Sequence, residues 1–254
     1  MEQQIGPLIR EWRLRRRLSQ LELSLEGGIS TRHLSFVETG RSTPSRDMLL
    51  RLAELLDVPL RERNVLLLAA GFAPNYPERK LDDPALSEMR HAIEVVLTGH
   101  EPFPALAIDR HWTLKAANRA VAPLLDGVAP ELLAPPLNVA RLSLHPNGLA
   151  PRIANLGEWR GHLLHRIGKQ IEVTADRKLI ELIGELSAYP APQVQTASPA
   201  SVVVPFQLQT PTGLLTFFTT TMVFGTPVDV TLEELALEFF FPANPATSAA
   251  MRKT

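Results

Sequence analysis

Between Gln20 and Thr43 the sequence collects side chains suited to hydrogen bonding at close range: Gln20, Ser30, Thr31, Arg32, Ser35, Phe36, Arg41, Ser42 and Thr43. Ser30 is placed to open a short helix, so Thr31 and Arg32 fall in its first turn. There the exposed amide hydrogens and the positive end of the helix dipole attract anions. Arg32 can donate two parallel bonds to guanine O6 and N7, and Phe36 can touch a thymine methyl, so both are expected to read base edges in the major groove of a duplex. Ser35 shares their face. Gln20, Arg41, Ser42 and Thr43 are expected to hold the sugar-phosphate backbone and set the register.

A second set lies further on. Asn155, Trp159, His162 and Arg166 are spaced by four, three and four residues, which places them along one helix face. A cation and donors beside apolar positions suit an amphipathic ligand with an anionic head, and Arg152 or Arg166 is expected to meet that head. Alternation puts Val204, Phe206 and Leu208 on one face of one strand, with Leu215 and Phe217, then Leu237 and Phe239, as inward partners from two more. These residues are expected to wall an apolar cavity.

Catalytic chemistry finds no such set. His162 and His165 form a lone H-x-x-H with no glutamate between them, and no phosphate-binding glycine loop or serine elbow occurs in its required context. Neither an enzyme nor a metal site is expected, no cofactor is required, and haem binding through a histidine has no support. Cysteine is absent, which removes disulfides, thiolate chemistry and zinc ribbons.

The elements that must position these residues follow from periodicity. Ile5, Leu8, Ile9 and Trp12 form the buried stripe of a first helix. Ser19 with Glu22 makes a capping box for a second, which Gly27 and Gly28 stop. Ser30 to Gly40 is a third, with Leu34 and Val37 inward, joined to the second by the short glycine-bearing turn of a helix-turn-helix. Pro44 and Ser45 open a fourth helix, and a fifth runs from about Pro59 to Gly71. This predicts a five-helix bundle over residues 1–72, a linker over 73–83 rich in proline and charge, and a regulatory domain over 84–254.

In that domain a helix is expected over 85–97, then two short strands about a tight turn, PALAID and WTLKAAN. Asn118 then leads into a helix, RAVAPLL. A proline-rich connection precedes helices near 159–171 and 175–186, followed by a loop over 188–201. VVVPFQLQ and LLTFFTTTMVF form a hairpin across TPTG, LALEFFFP a last strand, and Asn244 caps a terminal helix. The fold class is thus multidomain, an all-α bundle plus an α+β domain with a five-stranded antiparallel sheet.

Net charge is −1 overall. Residues 1–75 hold eleven arginines, no lysine and nine acids, a net +2, and the remainder carries −3. The excess is small, but five arginines crowd residues 10–17. No apolar run reaches the roughly 20 residues of a spanning helix, and the N-terminus lacks the charged and apolar blocks of a signal peptide, so a cytoplasmic protein without membrane contact is expected.

Residues 13–56 resemble the Xre family of phage-repressor helix-turn-helix proteins, through Arg13, LSQ at 18–20, ISTRHLSFVETGR at 29–41, the TPS opening and the LLRLAELLDV close of helix four. That resemblance implies Gln20 at the start of helix two, Gly40 after helix three and a buried ion pair of Arg13 with Glu38. Residues 83–241 resemble the ligand-binding module of MmyB-like regulators, related to the PAS sensor fold, through FPALAIDRHWTLKAANRA, LHPNGLAPRIANLGEWRGHLL and FFFPANPATSAA. The stretch 129–193 is longer and more helical than in an ordinary PAS domain. Together the resemblances imply a bacterial transcription regulator with a DNA operator and a ligand-binding half. As a homodimer it is expected to bind an inverted repeat, and the residue set around Trp159 and Arg166 points to a small apolar ligand such as a fatty acid. Asn118, Arg152, Trp159, His162, Arg166, Phe206, Leu208, Phe217 and Phe239 are the expected ligand residues. The alternative is a PAS-like half that serves only dimerisation or protein interaction.

Overall fold

A computed structural model describes residues 4–192 and 203–253 and divides the chain into two compact units. The first holds the chain up to Lys80 together with Thr226–Glu233, and the second holds Leu81–Gly225 and Glu234–Thr254.

Five helices build the first unit: α1 (Ile5–Arg15), α2 (Gln20–Gly27), α3 (Thr31–Glu38), α4 (Arg46–Leu55) and α5 (Leu60–Ala69). Each contributes side chains to one core, in which Ile9, Leu23, Leu34, Val37, Leu52 and Leu67 are at most 1% exposed. The capping box of α2 is formed, with the Ser19 hydroxyl accepting from the Glu22 amide at 3.1 Å and the Glu22 carboxylate accepting from the Ser19 amide at 2.7 Å. Gly28 then turns the chain with φ +62°, a left-handed conformation that favours glycine. Helices α1 and α3 touch so closely that a Cβ on Gly6 would lie 2.5 Å from the Val37 carbonyl oxygen.

Two features of this unit differ from the expected bundle-plus-linker. Residues 73–80 belong to it: Asn64 Oδ1 accepts the amides of Asn75 and Tyr76 at 3.0 and 3.1 Å, while Asn64 Nδ2 donates to the Tyr76 carbonyl at 2.7 Å. A stretch of proline and charge reads as free chain only when the side chain that satisfies its backbone goes unseen. The second feature is a short helix, Val230–Glu233, between the segments LLTFFTTTMVF and LALEFFFP. Glu233 caps α5 by accepting the Leu60 amide at 2.8 Å, and buried Asp229 accepts from Arg79 at 2.8 Å.

The second unit is a five-stranded antiparallel sheet with helices, its strands ordered β2-β1-β5-β4-β3. Helix α6 (Ser87–Gly99) precedes β1 (Ala105–Ile108) and β2 (Leu114–Ala117). Then come α7 (Pro130–Leu133), α8 (Val139–Leu144), α9 (Leu156–Thr174) and α10 (Arg177–Ala188). Strands β3 (Phe206–Thr210), β4 (Gly213–Val223) and β5 (Ala236–Pro242) and a terminal helix, Pro245–Met251, complete it. The hairpin has the register Thr210↔Gly213 and Phe206↔Phe217, which leaves Pro211 and Thr212 as its two-residue turn. The expected start of that hairpin at Val202, and most of the loop before it, lie outside the described residues. Val204 is half-buried and precedes β3 rather than belonging to it.

The proline-rich connection contains α7 and α8, which periodicity over long windows passes over because each spans less than two turns. Asn138 starts α8 by accepting the Arg141 amide at 2.9 Å. Conversely, the helix expected after Asn118 is only a 3-10 turn, Ala122–Leu125. The β1–β2 connection is wider than a tight turn: Asp109 accepts the amides of His111 and Thr113, both at 2.9 Å, and Trp112 sits within it at φ +65°.

Helices cover part of both faces of the sheet, and Phe218 and Met222 of β4 and Phe241 of β5 stay exposed. One face packs against α8, α9 and α10 around Ile167, Leu179, Leu208 and Phe217, and the other against α6 around Ile93, Leu97, Ala107, Leu237 and Phe239. Leu237 and Phe239 therefore do not share the face of Phe206 and Phe217. In β5 the side chains aimed at α9 are the even-numbered ones, Glu238 and Phe240, because a one-residue offset in a strand turns every side chain over.

Candidate functional site

The first candidate surface is the start of α3. The Ser30 hydroxyl caps it by accepting the His33 amide at 3.1 Å. Leu34 and Val37 are fully buried beneath, so Ser30, Thr31 and Arg32 are left exposed on the opposite side, with Ser35 and Phe36 half-buried. Phe36 organises the neighbourhood. Its carbonyl accepts the amides of Arg41 and Ser42 at 2.8 and 3.1 Å, and its ring centroid lies 5.3 Å from the Arg32 guanidinium and 6.0 Å from that of Arg41. Two cations are thereby held over one aromatic ring at the edge of the helix. Arg41 and Thr43 are exposed and Ser42 half-exposed just beyond Gly40.

Besides Ser30, two of the predicted residues have internal side-chain partners. The Thr31 hydroxyl is 2.9 Å from that of Ser24, a bond that ties α3 to α2. Gln20 is half-buried and donates its amide to Glu38 at 2.7 Å, so its orientation is set from within. Glu38 in turn accepts from Arg13 at 2.6 and 2.9 Å, and Arg13 also donates to the Leu18 carbonyl at 2.8 Å. Burial opposes the charged form of Glu38, but the bonds from Arg13 and Gln20 and the charges of Arg13 and Arg10 outweigh it and hold its pKa below the ordinary value. This cluster fixes α1 against α3 and so sets the tilt of the exposed turn.

The second candidate is a cavity of about 80 Å³ between the sheet and the α8–α9 layer. Its wall is apolar, including Leu106, Trp112, Leu142, Trp159, Phe206 and Phe240. Polar groups enter at few points. Ser143 accepts the Trp159 indole N–H at 2.9 Å. Arg166 reaches Glu238 through both terminal nitrogens, at 3.2 and 2.5 Å, and donates to the Thr221 hydroxyl at 3.1 Å, while that hydroxyl donates to Glu238 at 3.0 Å. The guanidinium lies 4.9 Å from the Trp112 ring centroid, and Glu238 is 5% exposed.

Of the predicted ligand residues, Trp159, Arg166 and Phe206 line this cavity. His162 stacks on Trp159 with centroids 5.4 Å apart, and burial, then the charge of Arg166, pushes its pKa down. The others serve structure. Leu208 and Phe217 are fully buried in the packed core behind the cavity. Phe239 lies on the α6 face, edge-on to His100 at 5.2 Å. Asn118 accepts the Ala105 amide and donates to the Leu97 and Phe103 carbonyls at 3.1, 3.0 and 2.8 Å, which leaves no amide hydrogen for a ligand. Arg152 is off the wall and donates to the Leu124 carbonyl at 2.5 Å.

Glu238 and Phe240 were the residues missed, and a signal for them existed: one carboxylate inside LALEFFFP marks which half of that strand faces a cation. Leu106 could not be found this way, because β1 is apolar on both faces, nor could Trp112, which lies in the β1–β2 connection where no strand period applies. Among the described residues no group of three His, Asp or Glu side chains is placed to hold a metal, and no helix is long and apolar enough to cross a membrane.

Comparison with known proteins adds independent weight. The chain matches the family model Helix-turn-helix over residues 9–63 and that of the MmyB-like transcription regulator ligand binding domain over 89–253, more than half its length. It is also similar to a protein of Methanoculleus marisnigri provisionally named as an HTH-type transcriptional regulatory protein. The two are 35% identical over 116 residues, which cover 44% of this chain and 37% of that one.

Proposed function

The chain belongs to the family of MmyB-like transcription regulators through its ligand binding domain, and from that premise we propose that it is a DNA-binding transcriptional regulator. The first unit reads a double-stranded operator, and the second is a PAS-like sensor of a small apolar ligand. The observation that carries the DNA half is the outward turn of α3, with Ser30, Thr31 and Arg32 exposed above a buried Leu34 and Val37. A homodimer would place two such turns on an inverted repeat with half-sites about 34 Å apart, one helical turn of DNA. Selection of bound sequences from random DNA, followed by anisotropy titrations, tests this. Binding that prefers the selected sequence and weakens steeply with salt supports it, and indifference to duplexes at low salt refutes it.

The ligand half rests on the cavity. Arg166 is the one cation among the described residues on a wall that is apolar apart from Ser143, Thr219 and Glu238, which favours an acyl chain with a carboxylate, a fatty acid. At about 80 Å³ the cavity is smaller than the roughly 300 Å³ at which ordinary ligand pockets begin, so a long chain enters only as the covering helices move outward. Mass spectrometry of the purified protein after denaturation, with thermal unfolding in the presence of added fatty acids, is the test. No copurified lipid and no shift would leave the second unit as a dimerisation or protein-interaction module.

A further inference from the structure

The cavity cation already has a partner. Arg166 is engaged at both terminal nitrogens by the two oxygens of Glu238, at 3.2 and 2.5 Å, with Thr221 bridging the pair and the guanidinium over the Trp112 ring at 4.9 Å. This is the planar, two-bond geometry in which arginine binds any carboxylate. Resting on the reading of the cavity as an apolar-ligand site, we infer that Glu238 is its specificity-determining residue. It is an internal carboxylate that occupies the ligand's place on Arg166 and that an acidic ligand must displace.

The consequence is selective. A neutral apolar molecule fills the cavity and leaves the Arg166–Glu238 pair intact, so its affinity depends on apolar contact alone. An acidic molecule of the same chain length competes with Glu238 for the same donors and must also approach a second negative charge held a few ångströms away. The pair thus sets a threshold against carboxylates and works as a trigger when one exceeds it, because the released Glu238 belongs to β5, at the centre of the sheet. His162 lies one turn from Arg166 on α9, where burial and the Arg166 charge disfavour its protonated form, so Arg166 is the cation an acidic ligand meets.

Octanoate and 1-octanol are the probes, compared by calorimetry on the full chain and its variants. Glu238→Gln keeps the size of the side chain and one acceptor oxygen, and removes its charge and its second acceptor. We expect it to bind octanoate about tenfold or more tightly than the unaltered protein, with octanol changed little. Arg166→Met should abolish any preference for octanoate over octanol. Thr221→Val removes the bridging hydroxyl, retains both charges and should give a smaller gain for octanoate, which separates loosening of the clamp from loss of charge. If Glu238→Gln and Thr221→Val raise both probes equally, or neither, Glu238 is a structural partner only and the inference falls while the cavity reading stands. If neither probe binds to any of the proteins, the cavity reading itself falls and the inference with it.

Discussion

Removing Glu38 should be among the most damaging single changes in the first unit, although it touches no DNA. Its side chain is 2% exposed and that of its partner Arg13 is 8% exposed. Glu38→Ala deletes two bonds from Arg13, at 2.6 and 2.9 Å, and one from Gln20 at 2.7 Å. Arg13 then keeps only the Leu18 carbonyl, and a buried guanidinium without a counter-charge costs about 3–5 kcal/mol. That is a large fraction of the roughly 5–15 kcal/mol by which domains are stable. Native-state hydrogen exchange of the α1 and α3 amides reads the loss within the first unit, where whole-chain unfolding would mix two units. Arg13→Met combined with Glu38→Leu should cost less than Glu38→Ala alone, since neither charge is then buried. The sign with pH follows from the lowered pKa of Glu38: its contribution is fully present above the unfolded value of 4.5 and disappears as pH falls through the depressed folded value. A cost below about 1 kcal/mol, or a double variant as unstable as the single one, would refute the view that this pair is buried and mutually dependent.

Arg32→Ala should weaken binding to the selected operator by about 1–3 kcal/mol and relax preference at one base position, whereas equal loss on every sequence would reassign Arg32 to phosphate. Gly6→Ala should destabilise the first unit by about 1–3 kcal/mol in urea unfolding, because the new methyl meets backbone oxygens that cannot give way; an unchanged midpoint would show that α1 shifts freely. Helix α8 is clamped to α10 by Arg141, which donates to Glu185 at 2.6 and 2.7 Å. That bond, assisted against burial by one from Tyr189, lowers the Glu185 pKa to about 2. Thermal stability should therefore drop as pH falls from about 4.5 towards 2, and Glu185→Gln should flatten that part of the profile. Burial, then the Glu185 bond, raises the Tyr189 pKa from 10.0 to about 12, so the same clamp should fail again as pH rises across that interval.

The α3 surface was legible in the sequence because everything that places it is local. Ser19, Glu22, Gly28, Ser30 and Gly40 are caps and stops that act over three or four residues, and Leu34 and Val37 lie on the side opposite Arg32 by helical period alone. Element types in the second unit were legible for the same reason. What sequence could not decide was which face of each strand meets which helix. Phe206 and Phe239 belong to equally apolar strands, yet they point to opposite sides of one sheet, and that assignment depends on the register of β5 against β4. The partners of Asn118, Arg152 and Gln20 were likewise hidden, since a polar side chain carries no mark of the distant carbonyl, amide or carboxylate it will satisfy. Periodicity and caps are properties of neighbours along the chain. The pairing of Arg166 with Glu238, 72 residues apart, exists only once the sheet has brought them together.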